Sequence, residues 1–325
     1  MMESAIRSFP QQFAFEPTIE RSEALIQANR FLVVGMGGSA LPADLYRACH
    51  PETDLVIHRD YGLPEFSSAW WEDRLVVVSS YSGNTEEALD AYDKARSRHL
   101  PVAVVAVGGE LLEQARRDDV PAIALPSVGI QPRMALGYSL RALAAFIGDN
   151  AIVKELDALA GSLDVEATAA SGAELASSLA DRTPIIYAPR RFAAVAYNWK
   201  IKCNETGKIP AFANVFPELN HNEMTGFDFA LSARALAERF HVIMLDFGVD
   251  DPRIAKRMKI CATLYRERGI AVTELEFHEG ALWQRVCMSL LMADWLALRL
   301  AERSGADPER VPMVEDFKLR MSKAS

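Results

Sequence analysis

The stretch "VVSSYSGNTEEALDAYDKA" (residues 77–95) puts three hydroxyls where a strand pattern hands over to a helix pattern. Ser80, Ser82 and Thr85 follow the β-branched run Val76 to Val78 and precede a helix-forming segment that begins at Glu86. Hydroxyls donate to anions. The first N–H groups of a helix lack partners within it, and the helix dipole favours negative charge at that end. The plainer alternative is Thr85 as an ordinary N-cap, with Glu86 and Glu87 in the first turn. That accounts for Thr85 but does not require Ser80, Ser82, Gly83 and Asn84 as well. No lysine follows, so the stretch is not a nucleotide P-loop.

A second glycine cluster, "VVGMGGSALPAD", also follows a strand pattern and opens a helix. Three readings stand beside one another. Gly35-x-Gly37-x-x-Ala40, with Asp60 near the end of the next strand, loosely matches a dinucleotide fingerprint. A tight turn that needs glycine for positive φ is the structural alternative. The preferred reading is a sugar or phosphate contact through the backbone N–H groups of Gly37 and Gly38 beside Ser39.

Those loops need elements to hold them, and the chain supplies a regular series. "FLVVG", "DLVIHRD", "RLVVVSS", "PVAVVAV" and "PAIALPS" read as strands, and helical periodicity alternates with them. The segment 150–182 is rich in Ala, Ser and Leu and reads as helices bridging two domains. Alternation then restarts with "TPIIYAP", "HVIMLDF" and "AVTELEF", helices following each, and ends with a long helix from about Ala281 and a short one over "VPMVEDFKLRM". The expected fold class is α/β, with two domains, 1–150 and 151–325, each a mostly parallel sheet flanked by helices. One stretch, 207–227, fits neither period. It is rich in Pro, Asn and aromatic residues and reads as an ordered functional loop.

Composition narrows the partners. With 35 Lys and Arg against 44 Asp and Glu the formal charge is −9, and no clustered basic face suggests nucleic acid. The four cysteines, Cys49, Cys203, Cys261 and Cys287, are far apart and form no CxxC pair, which argues against zinc or a disulfide framework and for a reducing compartment. The N-terminus shows no signal-peptide pattern. The most apolar helical stretch carries Arg285, Asp294 and Arg299, as a buried helix does and a membrane span does not. A soluble cytoplasmic protein is expected.

"SYSGNTEEAL" resembles the phosphosugar-binding signature of sugar isomerase (SIS) domains, and "GMGGSALPAD" resembles the partner loop of one branch of that family. "PRMALGYSL", "KIKCNETGKIPAF" and "FPELNHNEMTGF" are similar to segments of the bifunctional phosphoglucose/phosphomannose isomerases, in the same order along the chain. The resemblance runs from about Phe31 to Met321 and departs at Thr206, where the family more often has asparagine. It implies two SIS domains, and reversible interconversion of glucose 6-phosphate and fructose 6-phosphate, with mannose 6-phosphate as well. The route would be a cis-enediol, without cofactor or metal. A non-catalytic sugar-phosphate sensor and a dinucleotide-dependent enzyme are the alternatives.

The resemblance also implies roles. Glu205 would be the base, with Trp199, Ile201 and Ile209 partly desolvating it; read without the family it is a carboxylate at a helix end in a solvated turn. His221 would open the sugar ring, an imidazole being able to pass protons near neutral pH, and no second histidine lies at metal-ligand spacing. Arg133 would hold the enediolate oxygen, and Lys318 would assist ring opening or contact the sugar. Ser80, Ser82 and Thr85 would take the phosphate, with Gly37, Gly38 and Ser39 lining the sugar end. A homodimer with shared active sites is implied by the resemblance alone.

Overall fold

A computed structural model describes residues 1–179, 181–228 and 234–321. The chain divides into two compact units. One comprises Arg7–Leu163 with Leu282–Gln284, the other Met1–Ile6, Asp164–Ala281 and Arg285–Ser325.

The first unit is built on five parallel strands: β1 (Arg30–Val34), β2 (Asp54–His58), β3 (Arg74–Ser79), β4 (Val102–Ala106) and β5 (Ala122–Ala124). Their order is β2-β1-β3-β4-β5. The near-continuous apolar runs of β1, β3 and β4 are what a sheet covered on both faces demands. One face carries Leu32, Val34, Val76, Val78 and Val104 against the small residues of α3 (Glu86–Ser97) and the leucines of α4 (Gly109–Arg117). The helices α2 (Leu41–Cys49) and α5 (Leu136–Ile147) pack on each other, and α6 (Asn150–Ser162) closes the unit. Arg74 is buried at the start of β3 and donates from Nη1 to Phe31 O (3.0 Å) and Asp54 Oδ1 (3.1 Å), which ties together the starts of three strands.

The second unit has four parallel strands, β6 (Thr183–Pro189), β7 (Phe212–Phe216), β8 (Phe240–Asp246) and β9 (Ala271–Glu276), in the order β7-β6-β8-β9. Around them lie α7 (Val165–Leu179), α8 (Ala193–Glu205), α11 (Pro252–Glu267) and α12 (Leu282–Ser304). The N-terminal α1 (Met2–Arg7), the one-turn helices α9 (Glu223–Gly226) and α10 (Arg234–Ala237), and α13 (Pro312–Met321) complete the described helices. No described helix is long and apolar enough to cross a membrane. Of the charged residues inside the apolar stretch of α12, Asp294 is buried against Lys202 Nζ of α8 at 2.5 Å.

The segment 207–227 corrects the expectation of an irregular loop. It contains the edge strand β7, whose register pairs Ile185 with Phe212 and Pro189 with Phe216, followed by short helical turns. The strand escaped periodicity because it is five residues long, bracketed by Pro210 and Pro217, and lies at the sheet edge. Phe216 and Phe227 are buried in the core beside β6 and β8, whereas Phe212 is more than half exposed.

A pH dependence follows from the start of β8. His241 is buried, shares a hydrogen bond with Thr273 Oγ1 (2.8 Å), and has its pKa lowered by burial first and by the Arg182 charge second. The unfolded chain therefore takes up a proton that the folded imidazole resists. The stability this residue contributes is complete above about pH 6.5 and is lost as the pH falls below it. Urea midpoints measured at pH 7.5 and 5.5 should drop less in His241→Gln than in the parent; an equal drop would remove His241 as a cause.

Candidate active site

Strand order creates the crevice. From β1 the chain moves outward to β2, then crosses to β3 on the other side, so the loops after β1 and β3 leave the carboxyl ends of adjacent strands in opposite directions. Ligands of open α/β sheets sit at such a switch point. The glycine cluster and the hydroxyl cluster are those two loops. Tyr81 N–H donates to Ser39 Oγ (2.9 Å), which locks one to the other.

Within the second loop the hydroxyls are arranged for more than capping. Thr85 does occupy the N-cap of α3, but its side chain makes no cap hydrogen bond. Thr85 Oγ1 instead pairs with Ser80 Oγ (2.9 Å), which also accepts from Gly83 N–H (3.2 Å). Ser80 is buried, whereas Ser82 is exposed and Thr85 half-buried. Ser82 Oγ accepts from Asn84 N–H at 3.2 Å, and Asn84 Oδ1 accepts from Glu110 N–H at 3.0 Å, fastening the loop to the start of α4. Gly83 has φ +71°, and a Cβ there would lie 1.7 Å from Gly108 O, so no other residue fits. Each hydroxyl still has capacity beyond its partner, since it carries one donor and two acceptor sites.

Arg133 joins the same end of the sheet. It lies in the turn Pro132–Met134, downstream of β5, and is buried. Gly38 sits against this turn so closely that a Cβ on it would come within 3.0 Å of Pro132 C and O. Gln12, more than a hundred residues away, positions the turn: its Nε2 donates to Met134 O (2.6 Å) and its Oε1 accepts from Gly137 N–H (2.9 Å). Gln12 was not among the sequence candidates, and nothing local to it signals the role. The structure thus brings Gly37, Gly38, Ser39, the hydroxyl loop and the Arg133 turn together. Asp60, which a dinucleotide reading needs for a ribose, has Oδ1 engaged by Tyr61 N–H (2.8 Å).

The second unit holds Glu205, His221 and Lys318. Glu205 is the last residue of α8 and half-buried. The turn after it is tightly specified. Thr206 and Gly207 N–H both donate to Lys202 O (3.0 Å each), Asn204 Nδ2 donates to Ile209 O (2.9 Å), and Lys208 Nζ reaches Glu205 O (2.5 Å). The buried Lys202–Asp294 pair anchors this turn from beneath. Removing either partner alone would strip the other buried charge of this ion pair, a cost of about 3–5 kcal/mol. Trp199 is buried too, its Nε1 donating to Ser289 Oγ (2.9 Å).

Glu205 and His221 do not meet within this unit. α8 is the crossover between the parallel strands β6 and β7, so it runs antiparallel to them. Its 13 residues return the chain by roughly 20 Å, and Glu205 therefore lies at the edge where strands begin. His221 ends the turn Glu218–His221 just after β7, at the edge where strands finish, and is exposed. Lys318 is exposed on α13, a helix with no buried residue.

Residues 169–321 match the family described as bacterial phospho-glucose isomerase C-terminal SIS domain. The chain is 30% identical over 313 residues to a bifunctional phosphoglucose/phosphomannose isomerase of Caldicellulosiruptor bescii, covering 90% of each chain. To the Thermoplasma acidophilum protein of the same name it is 29% identical over 296 residues, again covering 90% of each. Among solved structures, a hypothetical protein from Thermus thermophilus superimposes with a TM-score of 0.71 at 19% identity, over 99% of this chain and 88% of that one.

Proposed function

Since the chain belongs to the bifunctional phosphoglucose/phosphomannose isomerase family, we propose that it interconverts glucose 6-phosphate, fructose 6-phosphate and mannose 6-phosphate. The observation that carries this reading is the hydroxyl loop at the start of α3, hydrogen-bonded to the glycine loop at the sheet's switch point. A phosphate there would meet Ser82 and Thr85 hydroxyls and the positive end of a twelve-residue helix. Gly37, Gly38 and Ser39 would then line the sugar.

Isomerisation moves one proton between adjacent carbons. His221 passes a proton to open the ring. Glu205 takes the proton from C2 of the open aldose, the electron pair forms the C1–C2 double bond of a cis-enediol, and the carbonyl oxygen is protonated. Return of the proton to C1, with loss of the O2 proton, leaves the ketose. Arg133 stabilises the negative oxygen in between, and Lys318 contacts the sugar or assists ring opening. Because Glu205 and His221 lie at opposite edges of one sheet, the reading requires a homodimer in which His221 serves the partner's Glu205.

Fructose 6-phosphate supplied with a chelator should yield both glucose 6-phosphate and mannose 6-phosphate, and unphosphorylated fructose should be a poor substrate. Replacing Ser82 and Thr85 together by Ala should raise KM, each lost charge-assisted hydrogen bond costing about 1.5–3 kcal/mol. Parental KM in that variant would place the phosphate elsewhere.

A further inference from the structure

We propose that Glu223 is the positioning residue for His221. Its carboxylate, gripped from two adjacent strands, fixes the segment that presents the imidazole. This rests on the ring-opening role given to His221 above.

The grip is specific. Tyr187 on β6 and Asn214 on β7 are register partners, so their side chains stand on the same face of the sheet. Tyr187 Oη donates to Glu223 Oε1 (2.5 Å), and Asn214 Nδ2 donates to Glu223 Oε2. Each carboxylate oxygen is thus held by a different strand, through hydrogen bonds of the stronger, charge-assisted kind. Neither donor is loosely placed. Tyr187 is fully buried, with its ring edge-on to Phe216 at 5.9 Å, and burial raises its pKa far enough to keep the hydroxyl a donor. The Asn214 amide is oriented by its own Oδ1, which accepts from Val215 N–H (2.8 Å).

The rest of the segment transmits that grip to residue 221. Glu223 N–H donates to Asn222 Oδ1 (2.6 Å), and Asn222 Nδ2 donates to Glu218 Oε1 (3.0 Å). Leu219 and Phe227 are buried on either side. His221, two residues before Glu223, is left exposed beside these held groups. A network of three polar side chains specifies a geometry that apolar packing would not.

The test is a double-mutant cycle with His221→Ala, reading kcat and KM for fructose 6-phosphate in the full-length protein. Glu223→Ala should lower kcat roughly 10²-fold, the effect expected of a catalytic group displaced by about an ångström, with KM changed by less than about twofold. Tyr187→Phe, which keeps the ring in the core, should lower kcat about tenfold and carries the test if Glu223→Ala fails to fold. Glu223→Gln, which retains an acceptor for Tyr187, should recover part of the loss. In the His221→Ala background Glu223→Ala and Tyr187→Phe should each have no further effect on kcat. A loss that persists in full in that background would make the network structural and overturn the proposal. Parental kcat in Glu223→Ala would overturn it as well. Parental kcat in His221→Ala alone would instead sink the ring-opening role, and this inference with it, and is recognised from that single variant.

Discussion

Glu205→Gln should lower kcat by a factor of roughly 10²–10⁴ with little change in KM, the range expected when a general base is lost and binding is kept. The substitution preserves shape, so the turn behind it should survive. Hydrogen bonds that define that turn use backbone groups of Lys202, Cys203, Glu205, Thr206, Gly207 and Ile209 and the Asn204 and Lys208 side chains, all of which the substitution keeps. Solvent tritium exchange into the sugar should fall in parallel with kcat, because exchange requires the same proton to leave carbon. A variant that isomerises slowly but exchanges at the parental rate would assign the base elsewhere and leave Glu205 a structural helix end.

Mixing two inactive variants should restore activity to about a quarter of the parental value. Glu205→Gln and His221→Ala subunits would each be nearly inactive alone. After subunit exchange about half of the dimers are mixed, and each mixed dimer has one site with both lesions and one with neither. The reason to expect this lies in connectivity. The crossover helix α8 ends at the edge where β7 starts, and the turn bearing His221 begins where β7 ends, so the length of the strand separates them in one subunit. The interface in solution should exceed the roughly 1,000 Å² that marks specific association. Absence of recovery, with exchange demonstrated by a mass-tagged subunit, would show that each chain supplies its own base and its own imidazole.

Much of this was legible without coordinates, for identifiable reasons. Strands β1, β3 and β4 are buried on both faces, so Val, Leu and Ala run almost unbroken in them and announce themselves locally. The hydroxyl loop was legible because Ser80, Ser82, Gly83 and Thr85 are neighbours in sequence; Glu205, His221, Arg133 and Lys318 became candidates only because short motifs around them resemble a family. Cap and anion cradle could not be told apart at that level. Both put Thr85 at the same position, and the structure adds that its hydroxyl points toward Ser80 rather than a helix N–H. What the tertiary structure alone decided depends on contacts between distant residues, which periodicity does not carry. Strand β7 was missed because an edge strand of five residues between prolines needs no apolar alternation; its pairing with β6 makes it a strand. Gln12 reaches the Arg133 turn only because the fold closes a loop of more than a hundred residues. Tyr187, Asn214 and Glu223 converge because two parallel strands lie side by side in one register. The separation of Glu205 from His221 has the same origin: sixteen positions apart in sequence, they are sent to opposite edges of the sheet because a parallel crossover must return its helix to the start of the next strand.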